Sequence, residues 1–460
     1  MSDPTDAPLD EQPETPTEQT EPPPRPLLSL RHGLPHVVQS EAELREACEA
    51  IAAGSGPVAI DAERASGYRY SSRAYLVQVR REGAGTWLID PIPFDSLDPL
   101  QAVLEDTEWI LHAATQDLPC LAEVGLRPTR LFDTELAGRL LGYPRVGLAT
   151  LVETMLGERL AKEHSAVDWS TRPLPEPWLE YAALDVEPLV ELREAQVAEL
   201  EAAGKTEWAQ QEFDFVRGFV PTPRVEPWRR TSGLHKVRGR RGLAAVRALW
   251  ETRDEIAARR DVTPGRILPD SAIVTAAHVL PSDRATLLST KGFHGRGAER
   301  YANRWVDALR SAIDMPESEL PKRSPRTDGP PTPRAWAERD PVAARRLDLA
   351  RPAMTKLAKE LELPVENLLT PDHLRRTLWT PPTTREPDAL TAAVREQLEG
   401  YGARPWQIDL AAPVLVSAII AGDEAPEPEV AEPEVAEPEV AEPEVAEDPP
   451  APDAPADGAS

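Results

Sequence analysis

The stretch VAIDAE, Val58 to Glu63, decides how the surrounding chain is read. An apolar run ending in two acids two residues apart reads as a strand with both carboxylates on one face, because side chains alternate along a strand with period two. Like charges held that close repel each other. Either both acids sit in water at a strand end, or a divalent cation compensates them. The pair alone does not decide between these, so the rest of the chain has to.

Outward from VAIDAE, strand-like and helix-like stretches alternate. Glu41 to Ala53 has the spacing of an amphipathic helix, and Val58 to Asp61, Tyr75 to Arg80, Thr86 to Asp90 and Trp109 to His112 read as strands. Helices are predicted over Asp117–Val124, Asp133–Leu141, Leu148–Leu156 and Trp178–Val197. Such an order implies an α/β sheet covered by helices over residues 27–215. Prolines then mark a linker over 216–233, followed by a helical module over 234–314. A second Pro-rich linker, 315–334, precedes another helical segment over 335–420. Residues 1–26 and 421–460 are Pro- and acid-rich, the latter repeating AEPEV, and are expected to be disordered because such segments cannot bury a core.

The net charge of −27 would argue against a polyanionic partner if it were spread evenly. It is concentrated at the ends. Residues 1–26 hold seven acids against Arg25, and residues 423–460 hold fourteen acids and no base. Residues 221–314, by contrast, carry eighteen Lys and Arg against ten Asp and Glu. A basic middle module is therefore masked by acidic tails. Cys48 and Cys120 are the only cysteines and lack a C-x-x-C spacing, which excludes a disulfide framework or a zinc ribbon and fits a reducing cytoplasm. The first thirty residues lack the basic-then-apolar order of a signal peptide, and no run of eighteen apolar residues occurs, so no membrane association is expected.

Other acids can converge on Asp61 and Glu63. Asp117, in HAATQDL, follows a strand and opens a helix, where a capping role is the simple alternative. In YAALD, Tyr181 and Asp185 stand four residues apart, so on a helix the phenol and the carboxylate share a face. The rival pair Asp133 and Glu135 reads instead as a helix cap and a first-turn acid. Four acids from three elements, with a tyrosine, suit two-metal phosphodiester chemistry, since paired divalent cations demand several hard oxygen ligands.

In this order, D-A-E, H-A-A-T-Q-D and Y-A-A-L-D resemble the three motifs of the DEDDy 3′–5′ exonucleases, and most closely the ribonuclease D family. Phe132-Asp133-Thr134 and the run from Lys162 to Leu174 (KEHSAVDWSTRPL) are similar to further stretches of that family. The resemblance implies an RNase H-like fold and two divalent ions, Mg²⁺ or Mn²⁺. Asp61, Glu63 and Asp185 would then hold the ion that binds the attacking water, with Asp61 bridging to a second ion supported by Asp117. Tyr181 would orient the water. Lys162 and Arg172 are candidate phosphate contacts, and Arg64 stands where relatives often carry an apolar residue against the terminal base.

Residues 234–314 resemble an HRDC domain, most clearly at PGRILPD, Pro264 to Asp270. Lys236, Arg238, Arg240 and Arg241 cluster there and are candidates for salt-dependent, sequence-independent contacts to nucleic acid. The 335–420 segment resembles a second, more divergent HRDC-type module. No G-x-x-x-x-G-K-[ST] occurs, which excludes a P-loop motor. The function expected is trimming of single-stranded RNA 3′ ends, tRNA precursors among them, with release of nucleoside 5′-monophosphates. A DNA exonuclease on the same fold and a non-catalytic RNA-binding protein are the alternatives.

Overall fold

A computed structural model describes residues 25–160, 166–323 and 329–424. The first module is a six-stranded sheet of order β1-β4-β3-β2-β5-β6, with β1 Val37–Val38, β2 Ser55–Arg64, β3 Ala74–Glu82, β4 Gly85–Ile89, β5 Glu108–Leu111 and β6 Arg130–Asp133. Strands β2, β3 and β4 form an antiparallel meander, while β5 and β6 add in parallel beside β2. VAIDAE thus lies in a central strand, flanked on both sides, which explains its continuous apolar run. Helices α1 Glu41–Ala53, α2 Asp98–Leu104 and α3 Leu118–Glu123 cover one face. On the other face lie α4 Thr134–Leu140, α5 Leu148–Leu151, α6 Glu176–Val186, α7 Leu189–Ala202 and α8 Thr206–Arg217.

Several expectations about single elements need correction. The helix expected over Trp178–Val197 is two helices, α6 and α7, broken at Pro188. A proline there offers no N–H to the helix and its ring clashes with the carbonyl four residues earlier. Strands β1 and β6 are too short to stand out by alternation. The 216–233 and 315–334 linkers are partly structure: Trp228 and Leu320 are buried in the core of the basic module, which therefore begins before Leu234.

That basic module comprises α9 Gly239–Arg260, α10 Pro264–Ile267, α11 Asp270–Val279, α12 Arg284–Ser289, α13 Arg296–Arg300 and α14 Ala302–Asp314 around a core of its own. The C-terminal module is α15 Trp336–Arg339, α16 Pro341–Glu360, α17 Val365–Leu368, α18 Pro371–Trp379, α19 Pro387–Gly400 and α20 Pro405–Glu424. Its core is continuous with that of the sheet, one cluster running from Ile110 and Phe132 through Phe213 to Trp336 and Ile419. Helix α20 is long and apolar enough by composition to cross a membrane. It is instead the central helix of this module, with Ile408, Leu415 and Ile419 buried. Lys162, residues 1–24 and residues 425–460 lie outside the described residues, whereas residues 421–424, expected to belong to a disordered tail, form the end of α20, where Asp423 pairs with Arg346 at 2.6 Å.

Candidate active site

Strand β2 and helix α6 build most of the site. Asp61 and Glu63 lie on one face of β2, opposite Gln78 and Leu76 of β3, and a bulge follows between Glu63 and Arg64. Bulges re-aim side chains and recur beside active sites. Helix α6 packs Leu179, Ala182, Ala183 and Val186 inward. The small Ala182 and Ala183 let the helix approach the sheet closely, and Asp185 thereby reaches the β2 acids. Ligand oxygens of Asp61, Glu63 and Asp185 all lie within 4.8 Å of one another. One turn earlier on the same helix, the Tyr181 hydroxyl is hydrogen-bonded to Asp185.

Asp117 arrives by a different route. After β5 the chain turns at Ala113, whose φ of 60° is left-handed, into a short 3₁₀ turn over Ala114–Gln116. Asp117 then precedes α3, but its side chain makes no capping hydrogen bond to that helix. It is 5% exposed and sits 3.7 Å from the Arg64 guanidinium. The capping alternative considered from sequence is thereby set aside. Asp133 does cap α4, accepting from the amides of Glu135 at 2.9 Å and Leu136 at 3.1 Å. Its carboxylate also accepts from the amides of Ala113 at 3.1 Å and Ala114 at 2.8 Å. It thus fixes the turn that presents Asp117. That second task could not be read from the cap pattern.

Burial, reinforced by neighbouring carboxylates, pushes Glu63 and Asp117 well above the usual carboxylate range, and burial with the Asp61 charge does the same to Asp185. Burial also raises Asp61. Four carboxylates in one half-buried cleft cannot all be charged without compensation, and among the described residues the Arg64 guanidinium faces three of them. An all-oxygen donor set of this kind fits hard divalent cations. Burial and the Asp185 charge push the Tyr181 phenol far above its ordinary value, so it stays protonated and acts as a hydrogen-bonding group. His112 is outside the cluster. Its Nδ1 meets the Thr134 hydroxyl at 2.9 Å, and burial depresses it to about 4.

A cavity of about 270 Å³ opens beside Glu63, lined by Ala62, Arg64, Ser66, Gly67, Tyr68 and Val167. A larger one, about 730 Å³, lies at the opposite end of β3, between residues 30–36 and Arg80–Trp87, away from the acids.

The basic candidates divide. Arg172 turns inward, its guanidinium bonded to both Asp90 oxygens at 2.7 and 2.8 Å and to the Tyr75 carbonyl at 2.7 Å. Arg240 donates to the carbonyls of Leu320 and Pro321, and Arg241 to those of Ile313 and Met315, so both tie down the segment after α14. Those three are engaged within the protein. Lys236 and Arg238 are exposed. A basic residue missed from sequence, Arg266 of the PGRILPD run, stacks over the Tyr68 ring at 4.4 Å.

Comparison with known proteins agrees with this geometry. Residues 35–201 match a family described as 3′–5′ exonuclease, and residues 242–309 match the HRDC domain. Residues 329–419, expected to resemble a second HRDC-type module, match instead a family described as the 3′ to 5′ exonuclease C-terminal domain. Ribonuclease D of Acidiphilium cryptum is 32% identical over 311 residues, covering 65% of this chain and 77% of that protein. Ribonuclease D of Escherichia coli is 29% identical, covering 62% and 77%. Among solved structures, a protein from Bifidobacterium adolescentis superposes with a TM-score of 0.78 at 39% identity, covering 86% of this chain and 99% of that one. Escherichia coli RNase D, described as an exoribonuclease involved in structured RNA processing, superposes with a TM-score of 0.60 at 25% identity, covering 84% and 98%.

Proposed function

The chain belongs to the ribonuclease D family and is a metal-dependent 3′–5′ exoribonuclease, and from that premise we propose that it trims the single-stranded 3′ ends of structured RNA, tRNA precursors among them, releasing nucleoside 5′-monophosphates. The observation that carries the site assignment is the convergence of Asp61, Glu63 and Asp185 within 4.8 Å, with Tyr181 bonded to Asp185. Two divalent cations, Mg²⁺ or Mn²⁺, would supply activation of a water and neutralisation of the leaving oxygen. Asp61, Glu63 and Asp185 would hold one and Asp61 with Asp117 the other. Asp133, through the Ala113 turn, keeps Asp117 in reach. Tyr181, protonated, orients the attacking water by a hydrogen bond. Water adds at phosphorus and the 3′ oxygen of the preceding nucleotide leaves, shortening the RNA by one residue. The two thiols, both buried and free, suit a cytoplasmic setting.

The test follows a 5′-labelled single-stranded RNA with Mg²⁺ or Mn²⁺, or with chelator, for wild type and Asp185→Asn. A metal-dependent ladder shortening from the 3′ end is expected. The variant should lose at least about 10²-fold in rate, the scale attached even to outer-shell partners of a metal site. RNA that is bound but left intact under every metal would overturn the reading.

A further inference from the structure

The basic module meets the catalytic one at a polar joint built around the loop that leaves β2. Asp261, the left-handed residue ending α9, accepts from the amides of Tyr70 at 3.1 Å and Ser71 at 2.9 Å through one oxygen, and from the Tyr75 hydroxyl at 3.4 Å through the other. The Thr263 amide donates to the Tyr68 carbonyl at 3.0 Å, and the Tyr70 hydroxyl donates to Asp254 at 2.9 Å. This is the same loop whose Ser66, Gly67 and Tyr68, with Arg64 at the end of β2, line the cavity beside Glu63. Just past Thr263, the exposed Arg266 lays its guanidinium over the Tyr68 ring at 4.4 Å. It has no ion pair among the described residues. A guanidinium with one face on an aromatic ring and its N–H edge free is oriented to take two oxygens of a phosphate or carboxylate. Its neighbour in the joint, Asp261, is already occupied by two amides and a hydroxyl.

Resting on the exoribonuclease reading, we propose that Arg266 is the contact through which the basic module grips the RNA strand entering the catalytic pocket, taking a backbone phosphate upstream of the scissile bond. Tyr68 fixes the guanidinium, and Asp261 is a positioning residue that holds the Tyr68 loop. The HRDC-like module thereby supplies part of the mouth of the active site, and PGRILPD gains a role in substrate capture. The cluster Arg240–Arg241 does not compete for it, since both guanidinia cap backbone carbonyls.

The experiment compares Arg266→Lys, Arg266→Met and Asp261→Ala with wild type by steady-state trimming. In the Asp185→Asn background, the same variants are assayed for RNA affinity by fluorescence anisotropy across a salt series. Arg266→Met keeps the packing over Tyr68 and removes the charge. It should raise KM and Kd about tenfold, leave kcat within about twofold, and lower the salt slope by about one. Arg266→Lys keeps the charge but loses the stacked fork, so it should fall between wild type and Arg266→Met in affinity and keep the wild-type salt slope. Asp261→Ala should raise KM in the same direction and add little on top of Arg266→Met, because both act on one contact. Unchanged KM, Kd and salt slope in Arg266→Met, or a loss equal in the Met and Lys variants, would overturn the proposal. Failure of the exonuclease reading looks different: wild type then gives no ladder at all, while anisotropy still reports whether Arg266 holds RNA.

Discussion

The two helical modules are fastened to the same sheet in opposite ways. The C-terminal module shares its apolar core with the catalytic domain, and polar contacts seal the seam. Trp208 stacks on Trp406 at 4.9 Å, Glu212 accepts from Arg404 at 2.6 Å and from the Trp406 indole at 2.9 Å, and the Lys205 ammonium binds the Leu140 and Leu361 carbonyls. The basic module keeps a separate core and meets the catalytic domain through Asp261, Asp254, Thr263 and Arg266. A shared core makes a buttress that unfolds with what it supports. A joint of hydrogen bonds on the active-site rim contributes little stability but sets where a loop sits. Covering the sheet and shaping the substrate path are thus divided between two modules that the sequence presents as similar helical repeats.

The most damaging way to test that division is Trp406→Ala. Trp406 is 3% exposed, stacked on Trp208 and hydrogen-bonded to Glu212. Truncating a buried Trp costs about 3–5 kcal/mol, and here it also leaves Glu212 short of a donor. Calorimetry should show the sheet and the C-terminal module melting together at a markedly lower temperature, with the transition of the basic module in place. A shift confined to the C-terminal helices would mean that the shared core is not one cooperative unit.

A smaller effect should come from pH and metal. Asp61, Glu63, Asp117 and Asp185 have folded-state pKa values raised above those of the unfolded chain. The metal-free native state therefore binds more protons than the unfolded one, and its stability falls as pH rises from the ordinary carboxylate range toward the raised values. His112, depressed to about 4, acts with the opposite sign below its unfolded value of about 6.5. Above that the acids stand alone, together with Asp133, which burial raises to about 6. As pH rises above 6.5 the metal-free protein should lose stability, in the transition of the sheet and C-terminal unit only. Mg²⁺ should abolish that slope, and Asp61→Asn should flatten it without metal. A slope shared by the basic module would contradict the separation of the two cores.

What could be read from sequence followed the range of the geometry involved. Asp61 with Glu63 and Tyr181 with Asp185 are set by strand and helix periods, so their pairing was legible within five residues. Asp117 stood out as a candidate, but how it is presented was not legible, because that depends on Asp133 reaching back twenty residues to Ala113. Arginines are the instructive failure. Arg172, Arg240 and Arg241 look like phosphate ligands in a linear reading, yet each satisfies carbonyls or a carboxylate brought near only by the fold. Arg266 sat inside a motif read only for its resemblance to an HRDC domain. Nothing local distinguishes a guanidinium that caps a backbone from one that waits for a ligand. The break between α6 and α7 was legible in Pro188 but was overridden by apolar spacing that continues across it.

The mildest test is Tyr70→Phe. This ring is 38% exposed and its hydroxyl meets Asp254 at 2.9 Å, with burial and that carboxylate raising the phenol above its usual pKa. Losing a half-exposed hydrogen bond of this kind costs about 0.5–1 kcal/mol at most, and water can replace the partner on both sides. The melting temperatures of both units should therefore move by less than about 2 °C. Yet the Tyr68 loop loses one of its anchors on α9, so KM for a single-stranded RNA should rise about twofold with kcat unchanged, less than for Arg266→Met because Asp261 still holds the backbone. Such a change, with stability untouched, is what a rim-positioning joint produces and a buttress does not. A fall of several degrees at unchanged KM would instead make this joint a second structural seam, and the two modules would then differ only in how polar their seams are.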